Sequence, residues 1–479
     1  MILGRSYRAA RLALVMTAAA ACSNQSEPTA GPALGSAGTP AVSTPNAPAA
    51  GSGGTSAGAT AAGGGTVTAG APAAGAGGTA GVGTSPGAAG TTGSAGRVSS
   101  PDADTDAGTE PPVEVPALKC SDITGEASSS PGTGYPGGTW KVPAAMYGTV
   151  IESNIEITMS DGITLVGDVS YPTDLQTGQR APGTFPVLLT QNPYGAAFGA
   201  SYGEIFVTHG YIFASVDVRG TSRSAGTHDM FSPREAEDGA ALVQWAATLE
   251  GSDGQVGLQG CSQLGINQLE TATLLGAGSP VKAMIPTCAS GDFYRDTAFD
   301  NGIPTIVGSL LAATAPADGG DVSFYREYWK TRDRLARAPA IAAANIPTLL
   351  WSGWHEPGAL GSLELYAALQ NLTLGRPVDT QITADLEVSP RYQVILGDWA
   401  HGGGLDLGIE LQWFDTWIKG VDTGLATNTK TPLHLTELGG TKRWINSRCY
   451  PLVEDYTPCT SRATTLCPSQ LQPPRIKRR

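Results

Sequence analysis

The sequence predicts an α/β protein: a mostly parallel sheet covered by helices on both faces, carried behind a long stretch without structure of its own. Three observations predict it. Beyond about residue 142, short apolar runs of strand length alternate with helical patterns. From Ser23 to about Pro116 the chain is mostly Gly, Ala, Thr, Ser and Pro, with almost no large apolar residues. Between the two halves of one strand–helix unit lies a serine flanked by small residues, Gly260-Cys261-Ser262-Gln263-Leu264-Gly265.

The first 21 residues read as an export leader. Arg5, Arg8 and Arg11 precede an apolar stretch, Leu12 to Ala21, too short to span a bilayer as a helix. Ala19-Ala20-Ala21-Cys22 resembles a bacterial lipobox, with Ala19 where Leu usually stands, so Cys22 is the expected lipidation site and new N-terminus. Cleavage at an Ala-x-Ala site is the alternative. Ser23 after the cysteine favours the outer membrane. From residue 22 to 117 no run of large apolar residues exists to offset the entropy of ordering. Random-coil scaling puts the folded part on the order of 50 Å from its anchor.

Subtracting that tether leaves roughly 350 residues, enough for a large core, and eight of the nine Trp lie beyond residue 200. The net charge of -13 argues against a nucleic-acid partner, which needs clustered Lys and Arg. The basic end, Arg475 to Arg479, is too short to form a groove. Of seven cysteines, six remain once Cys22 is set aside, and an oxidising compartment lets some of them pair in an order the sequence does not fix. With no Cys-x-x-Cys pair and no His cluster, neither a structural metal nor a cofactor is expected.

The folded part opens with a hairpin, Ile151–Ile157 and Ile163–Val169 about an Asp161-Gly162 turn. Strands follow at Pro186–Thr190 and Ile212–Val216, then a helix over Glu235–Leu249 with Ala240, Leu242, Val243 and Trp245 on its apolar face. The strand Val256–Gly260 leads into a helix over Leu264–Leu275, and further strands come at Ala283–Thr287, Pro347–Trp351 and Gln393–Leu396. Strand, sharp turn, helix is the setting in which a serine projects its hydroxyl above a sheet edge while the next backbone N–H faces a developing oxyanion. By itself Gly-x-Ser is often only a turn. A nucleophilic serine also needs an imidazole and a carboxylate to orient it. Among the five histidines, His401 sits in a Gly-rich loop after the strand Gln393–Leu396, and Glu356 follows the strand ending at Trp351. The order Ser262, Glu356, His401 fits, with ligands expected at the C-terminal ends of the strands.

These residues and their neighbours resemble the X-Pro dipeptidyl-peptidase and cocaine-esterase group of serine hydrolases, which includes α-amino-acid ester hydrolases. The likeness runs from about residue 150 to 445. It rests on Met159-Ser160-Asp161-Gly162, Asn192-Pro193-Tyr194-Gly195, Asp217-Val218-Arg219-Gly220, Glu235-Ala236-Glu237-Asp238-Gly239, Asp253-Gly254-Gln255-Val256-Gly257 and Trp413-Phe414-Asp415-Thr416-Trp417-Ile418-Lys419-Gly420.

The resemblance implies an α/β-hydrolase catalytic domain over 118–430 with a short helical cap near 292–345. It implies Ser262 as nucleophile, His401 as general base, and an oxyanion hole made by the Tyr194 hydroxyl and the N–H of Gln263. Two departures stand out: Gln263 replaces the family's Tyr, and Glu356 replaces the Asp of its Gly-Trp-x-Asp motif. Asp398 is the fallback acid, otherwise a loop-capping carboxylate, and His355 a pocket-wall or surface residue. The substrate implied is a small ester, amide or Xaa-Pro peptide. The family continues into a β-rich jelly roll. Here Thr431–Leu435 and Thr441–Trp444 look like its first strands, so 431–479 is expected to be a remnant cut short near residue 458. A second reading keeps the fold and gives up the activity, leaving a tethered binding protein with an impaired acid.

Overall fold

The computed structural model describes residues 120–122, 136–300, 302–305, 307–309, 322, 324–427, 432–436 and 444–452. The leader, Cys22, the tether, Cys459 and Cys467 lie outside them.

The predicted hairpin is β2 (Gly148–Thr158) with β3 (Thr164–Thr173), paired antiparallel. Gly162 supplies the positive φ of the turn, +80°. The buried runs become β4 (Phe185–Asn192), β5 (Ile212–Asp217), β6 (Ser252–Cys261), β7 (Val281–Thr287), β10 (Thr348–His355) and β11 (Tyr392–Ala400). They lie side by side and parallel in the order β5-β4-β6-β7-β10-β11, with β3 antiparallel to β5 and β2 outside it. The chain skips a place from β3 to β4 and returns to fill it with β5. This is the α/β-hydrolase fold. Strands buried on both faces need apolar side chains at consecutive positions, which is why β4 and β5 read as continuous runs rather than alternations.

The helices are α1 (Ala196–Thr208), α2 (Pro233–Ala247), α3 (Gln263–Ala272), α4 (Ala338–Ala344), α5 (Ala359–Thr373) and α6 (Leu407–Trp417). The second begins two residues before the predicted Glu235, because Ser232 and Pro233 form its cap. The Ser232 hydroxyl accepts the Glu235 N–H, and Glu235 reaches back to the N–H of Phe231, the residue before the cap, at 2.9 Å, a variant of the capping box. Core side chains fill both faces of the sheet, Val187, Leu189, Leu258 and Met284 on one and Leu188, Phe213, Ile285 and Trp351 on the other. None of the described helices is long and apolar enough to cross a membrane.

Two arginines after β5 act as clamps. Arg219, after β5, bonds Asp238 of α2 at 2.7 Å and Asp161 of the hairpin turn at 2.9 Å. Arg223 bonds Asp217 and Asp168, each at 2.8 Å. Arg219, Asp217 and Asp238 are buried, so removing one partner would strand a charge at a cost of about 3–5 kcal/mol.

The C-terminal strands differ from expectation. β12 (Leu433–Thr436) adds parallel to β11, β13 (Trp444–Ser447) pairs antiparallel with β12, and β1 (Ser121–Asp122) closes that edge. The segments read as opening a separate β domain at 431 therefore extend the main sheet to eleven strands. Four-residue alternation specifies a strand and not its partner, and here the edge of β11 was the nearest unpaired backbone. A disulfide, Cys120–Cys449, fastens β1 to this edge across 329 positions.

Candidate active site

β6 ends at Cys261 and α3 starts at Gln263, so Ser262 alone makes the turn. Its backbone takes φ 66°, ψ −126°, a strained combination worth on the order of 1–3 kcal/mol. Three hydrogen bonds hold it: Ser262 N–H to the Thr287 carbonyl at 2.9 Å, and the N–H groups of Gly265 and Ile266 to its own carbonyl at 3.0 and 2.9 Å. A Cβ on Gly260 would lie 2.4 Å from that of Leu264, and one on Gly265 would lie 2.3 Å from the Thr287 carbonyl oxygen. That second clash explains why the glycine stands three residues after the serine. It is residue 265 that faces β7. As first residue of a helix, Gln263 has a backbone N–H with no acceptor in the preceding turn of α3.

His401 follows β11, and its loop is glycine-rich for a reason invisible in the motif. The ring of Trp399 folds back onto it, so that a Cβ on Gly397 or Gly404 would fall 1.9 or 2.3 Å from ring atoms, and one on Gly353 would meet the Trp399 carbonyl at 2.2 Å. Trp351 and Trp444 pack beside the same ring.

Glu356 and His401 meet. The imidazole Nδ1–H donates to Oε2 of Glu356 at 2.7 Å, while Oε1 accepts the Gly353 N–H at 2.7 Å and the Ser352 hydroxyl. The extra methylene of Glu is taken up by folding the carboxylate back over the end of β10. Its side chain is wholly enclosed, and that of His401 is 30% exposed. Asp398, the fallback acid, pairs with Nε2 of His355 at 2.6 Å, and the His355 side chain is mostly exposed, on the surface.

Ser262, His401, Tyr194 and Gln263 line one cavity of about 220 Å³. Tyr194 follows β4 on a loop braced by Asn192, whose amide oxygen accepts the Tyr194 N–H at 2.9 Å and whose amide nitrogen donates to the Gly195 carbonyl at 2.8 Å. The remaining walls are chiefly Met230, Phe231, Ile266, Phe293, Val307 and Pro357, and no carboxylate is among the described lining residues.

In the region expected as a cap, 292–345, the described residues include a helical stretch at 307–309. The region also holds a π-helical turn at Phe293–Ala298, a ribbon of β8 (Phe299–Asp300) and β9 (Ile303–Pro304), a single turn at Glu327–Lys330, and α4. Its aromatics divide: Phe293 reaches the cavity, while Tyr294, Tyr325, Tyr328 and Trp329 cluster on one another. Fully buried Arg334 anchors the cap to α3 through Glu270 at 2.8 Å.

Two features escaped sequence reasoning. Gln263, in place of the family's Tyr, contacts His228 (Nε2 to Nε2, 2.9 Å), and His228 Nε2 lies 3.2 Å from Glu235. No spacing links residue 228 to 263. The sulfurs of Cys261 and Cys288 lie 3.0 Å apart, and with a ring nitrogen of His401 they form a trio of donors within 4.8 Å, the one group among the described residues placed to hold a metal ion.

A model of the X-Pro dipeptidyl-peptidase (S15) family matches residues 161–317, from the hairpin turn through the serine and into the cap. Over these residues the chain is similar to the S15 family. The S15 match agrees with sequence relatives. Cocaine esterase from Rhodococcus sp. (strain MB1 Bresler) is 33% identical over 171 residues, 34% of this chain and 28% of that protein. A putative serine esterase of Mycobacterium bovis is 28% identical over 172 residues, 32% of this chain and 26% of the relative. The chain thus aligns to only about a quarter of the length of these relatives. A CocE/NonD family hydrolase from Staphylococcus aureus superposes with a TM-score of 0.48 at 21% identity, covering 64% of this chain and 57% of the other.

Proposed function

We propose that this protein is a carboxylic-ester hydrolase for small, uncharged, apolar acyl groups, acting through an acyl-enzyme on Ser262. His401 takes the serine proton at Nε2, leaving Nδ1–H bonded to Glu356, which fixes the tautomer and stabilises the imidazolium as it forms. The Tyr194 hydroxyl and the Gln263 N–H receive the negative charge of the tetrahedral intermediate. Water then enters by the same route, activated by His401, and releases the acid.

The observation that carries the substrate class is the wall of the cavity. Met230, Phe231, Ile266 and Phe293 offer an acyl group apolar contact, and among the described lining residues there is no carboxylate to meet the free amine of an Xaa-Pro peptide. Burying an ammonium group without a partner is costly enough to disfavour such a substrate. The relative named cocaine esterase supports the same choice of an ester. An inactive remnant is not favoured, since Glu356 reaches His401 despite its added length.

The test is a panel of p-nitrophenyl acetate, butyrate and benzoate against Xaa-Pro anilides, run beside fluorophosphonate labelling of the parent and Ser262→Ala. Ester turnover and labelling are expected in the parent and neither in the variant. Faster cleavage of the anilides, or equal labelling of both proteins, would refute the reading.

We also propose export and lipidation at Cys22. The Cys120–Cys449 bond supports an oxidising destination. Incorporation of labelled palmitate should disappear in Cys22→Ala, and palmitate retained by that variant would exclude the site.

A further inference from the structure

We propose that Cys261 and Cys288 are an oxidative modification site that closes to a second disulfide inside the substrate cavity. The two sulfurs stand 3.0 Å apart, at the ends of paired strands β6 and β7, where Cys261 is opposite Thr287 in register. Both strands break at this level into left-handed backbone, Ser262 at φ 66° and Cys288 at φ 53°. The strands are parallel neighbours in the middle of the sheet, so the backbones that carry the two cysteines are held side by side. A disulfide needs about 2.05 Å between them. Closing the remaining gap takes side-chain rotation and no movement of the sheet.

The two thiols have unequal access, and this sets the order of events. Cys288 lines the cavity beside Ser262 and His401, whereas Cys261 is 1% exposed and does not line it. A small organic disulfide such as oxidised glutathione is therefore attacked by the Cys288 thiolate. The oxidant's S–S bond breaks, one glutathione leaves as thiolate, and the other stays on Cys288 as a mixed disulfide. Cys261 then attacks the Cys288 sulfur and expels the second glutathione. Two protein thiols become one disulfide, one oxidant disulfide becomes two thiols, and the two protons end on glutathione.

The bond also bears on the reaction. The Cys288 sulfur accepts the Gly402 N–H at 3.1 Å, and Gly402 is the residue after His401. Drawing that sulfur toward Cys261 weakens the bond steadying the His401 loop. This consequence rests on His401 serving as the base; the disulfide itself does not.

The experiment treats the folded protein with oxidised glutathione, blocks remaining thiols by alkylation, and maps peptides by mass spectrometry without reduction, the Cys120–Cys449 peptide serving as internal control. A Cys261–Cys288 cross-link is expected, formed more slowly when a fluorophosphonate already occupies Ser262. In Cys261→Ser, treatment should stop at a glutathione adduct on Cys288. Recovery of both residues as alkylated thiols after exhaustive treatment would overturn the proposal. Loss of one such hydrogen bond should lower kcat about threefold to tenfold, restored by dithiothreitol. A cross-link with unchanged kcat would refute the hold on His401 while leaving the disulfide established.

Discussion

Replacing Glu356 with Gln changes one atom and should stop the enzyme by imposing the wrong tautomer on His401. The position of Oε1 is fixed by a donor, the Gly353 N–H at 2.7 Å, so that site must keep an oxygen. The amide nitrogen is left facing Nδ1 of His401, where Oε2 stands now. An N–H there turns Nδ1 into an acceptor and moves the ring proton to Nε2. The nitrogen meant to take the serine proton is then already protonated. The same substitution in a serine-protease triad lowers kcat by about 10⁴, or roughly 5 kcal/mol at 1.36 kcal/mol per decade. The side chains are isosteric, so circular dichroism and thermal unfolding should match the parent. The assay is kcat for the best p-nitrophenyl ester from pH 6 to 9. A variant within tenfold of the parent would show that Glu356 does not set the tautomer.

Tyr194→Phe should lower kcat by about 10² to 10³ with little change in KM, as expected for a donor used chiefly in the transition state; an unchanged kcat would remove Tyr194 from the oxyanion hole. Glu410 is wholly buried against Gln259, and desolvation raises its carboxyl from 4.5 to about 7. Because the folded value is the higher one, its contribution is intact below pH 4.5 and is lost as pH rises through 7. Glu410→Gln should therefore match the parent near pH 4.5 and exceed its stability by about 3 kcal/mol above pH 7. Urea unfolding at both pH values decides this, and a constant difference would refute it. Replacing Cys120 and Cys449 together by Ser should cost about 2–5 kcal/mol, read as a lower Tm at unchanged kcat; an unaltered Tm would show that the sheet edge holds without its cross-link.

What the sequence disclosed was what is written locally. The Asp161-Gly162 turn, the continuous apolar runs of β4 and β5, and a serine between small residues each announce one conformation. The approach of Glu356 to His401 followed from chain order in a parallel sheet, because residues after successive strands gather at one edge. The rest depended on partners far away in sequence. Leu433–Thr436 and Trp444–Ser447 could have paired with any free edge, and only packing shows that β11 received them. The glycines at 397 and 404 belong to a loop read only as Gly-rich, and their role is to leave space for the Trp399 ring. The contacts of His228 with Gln263 and of Cys261 with Cys288 leave no periodicity to read.

The Cys120–Cys449 bond has a mechanical meaning. It shorts the polypeptide across 329 positions, almost the whole described chain. A pull applied to the chain upstream of Cys120 passes through two sulfurs into residue 449. The strands that carry Ser262 and His401 lie inside the shorted loop and off the line of force. Drag on the protein would load the edge of the sheet and leave the catalytic geometry unstressed.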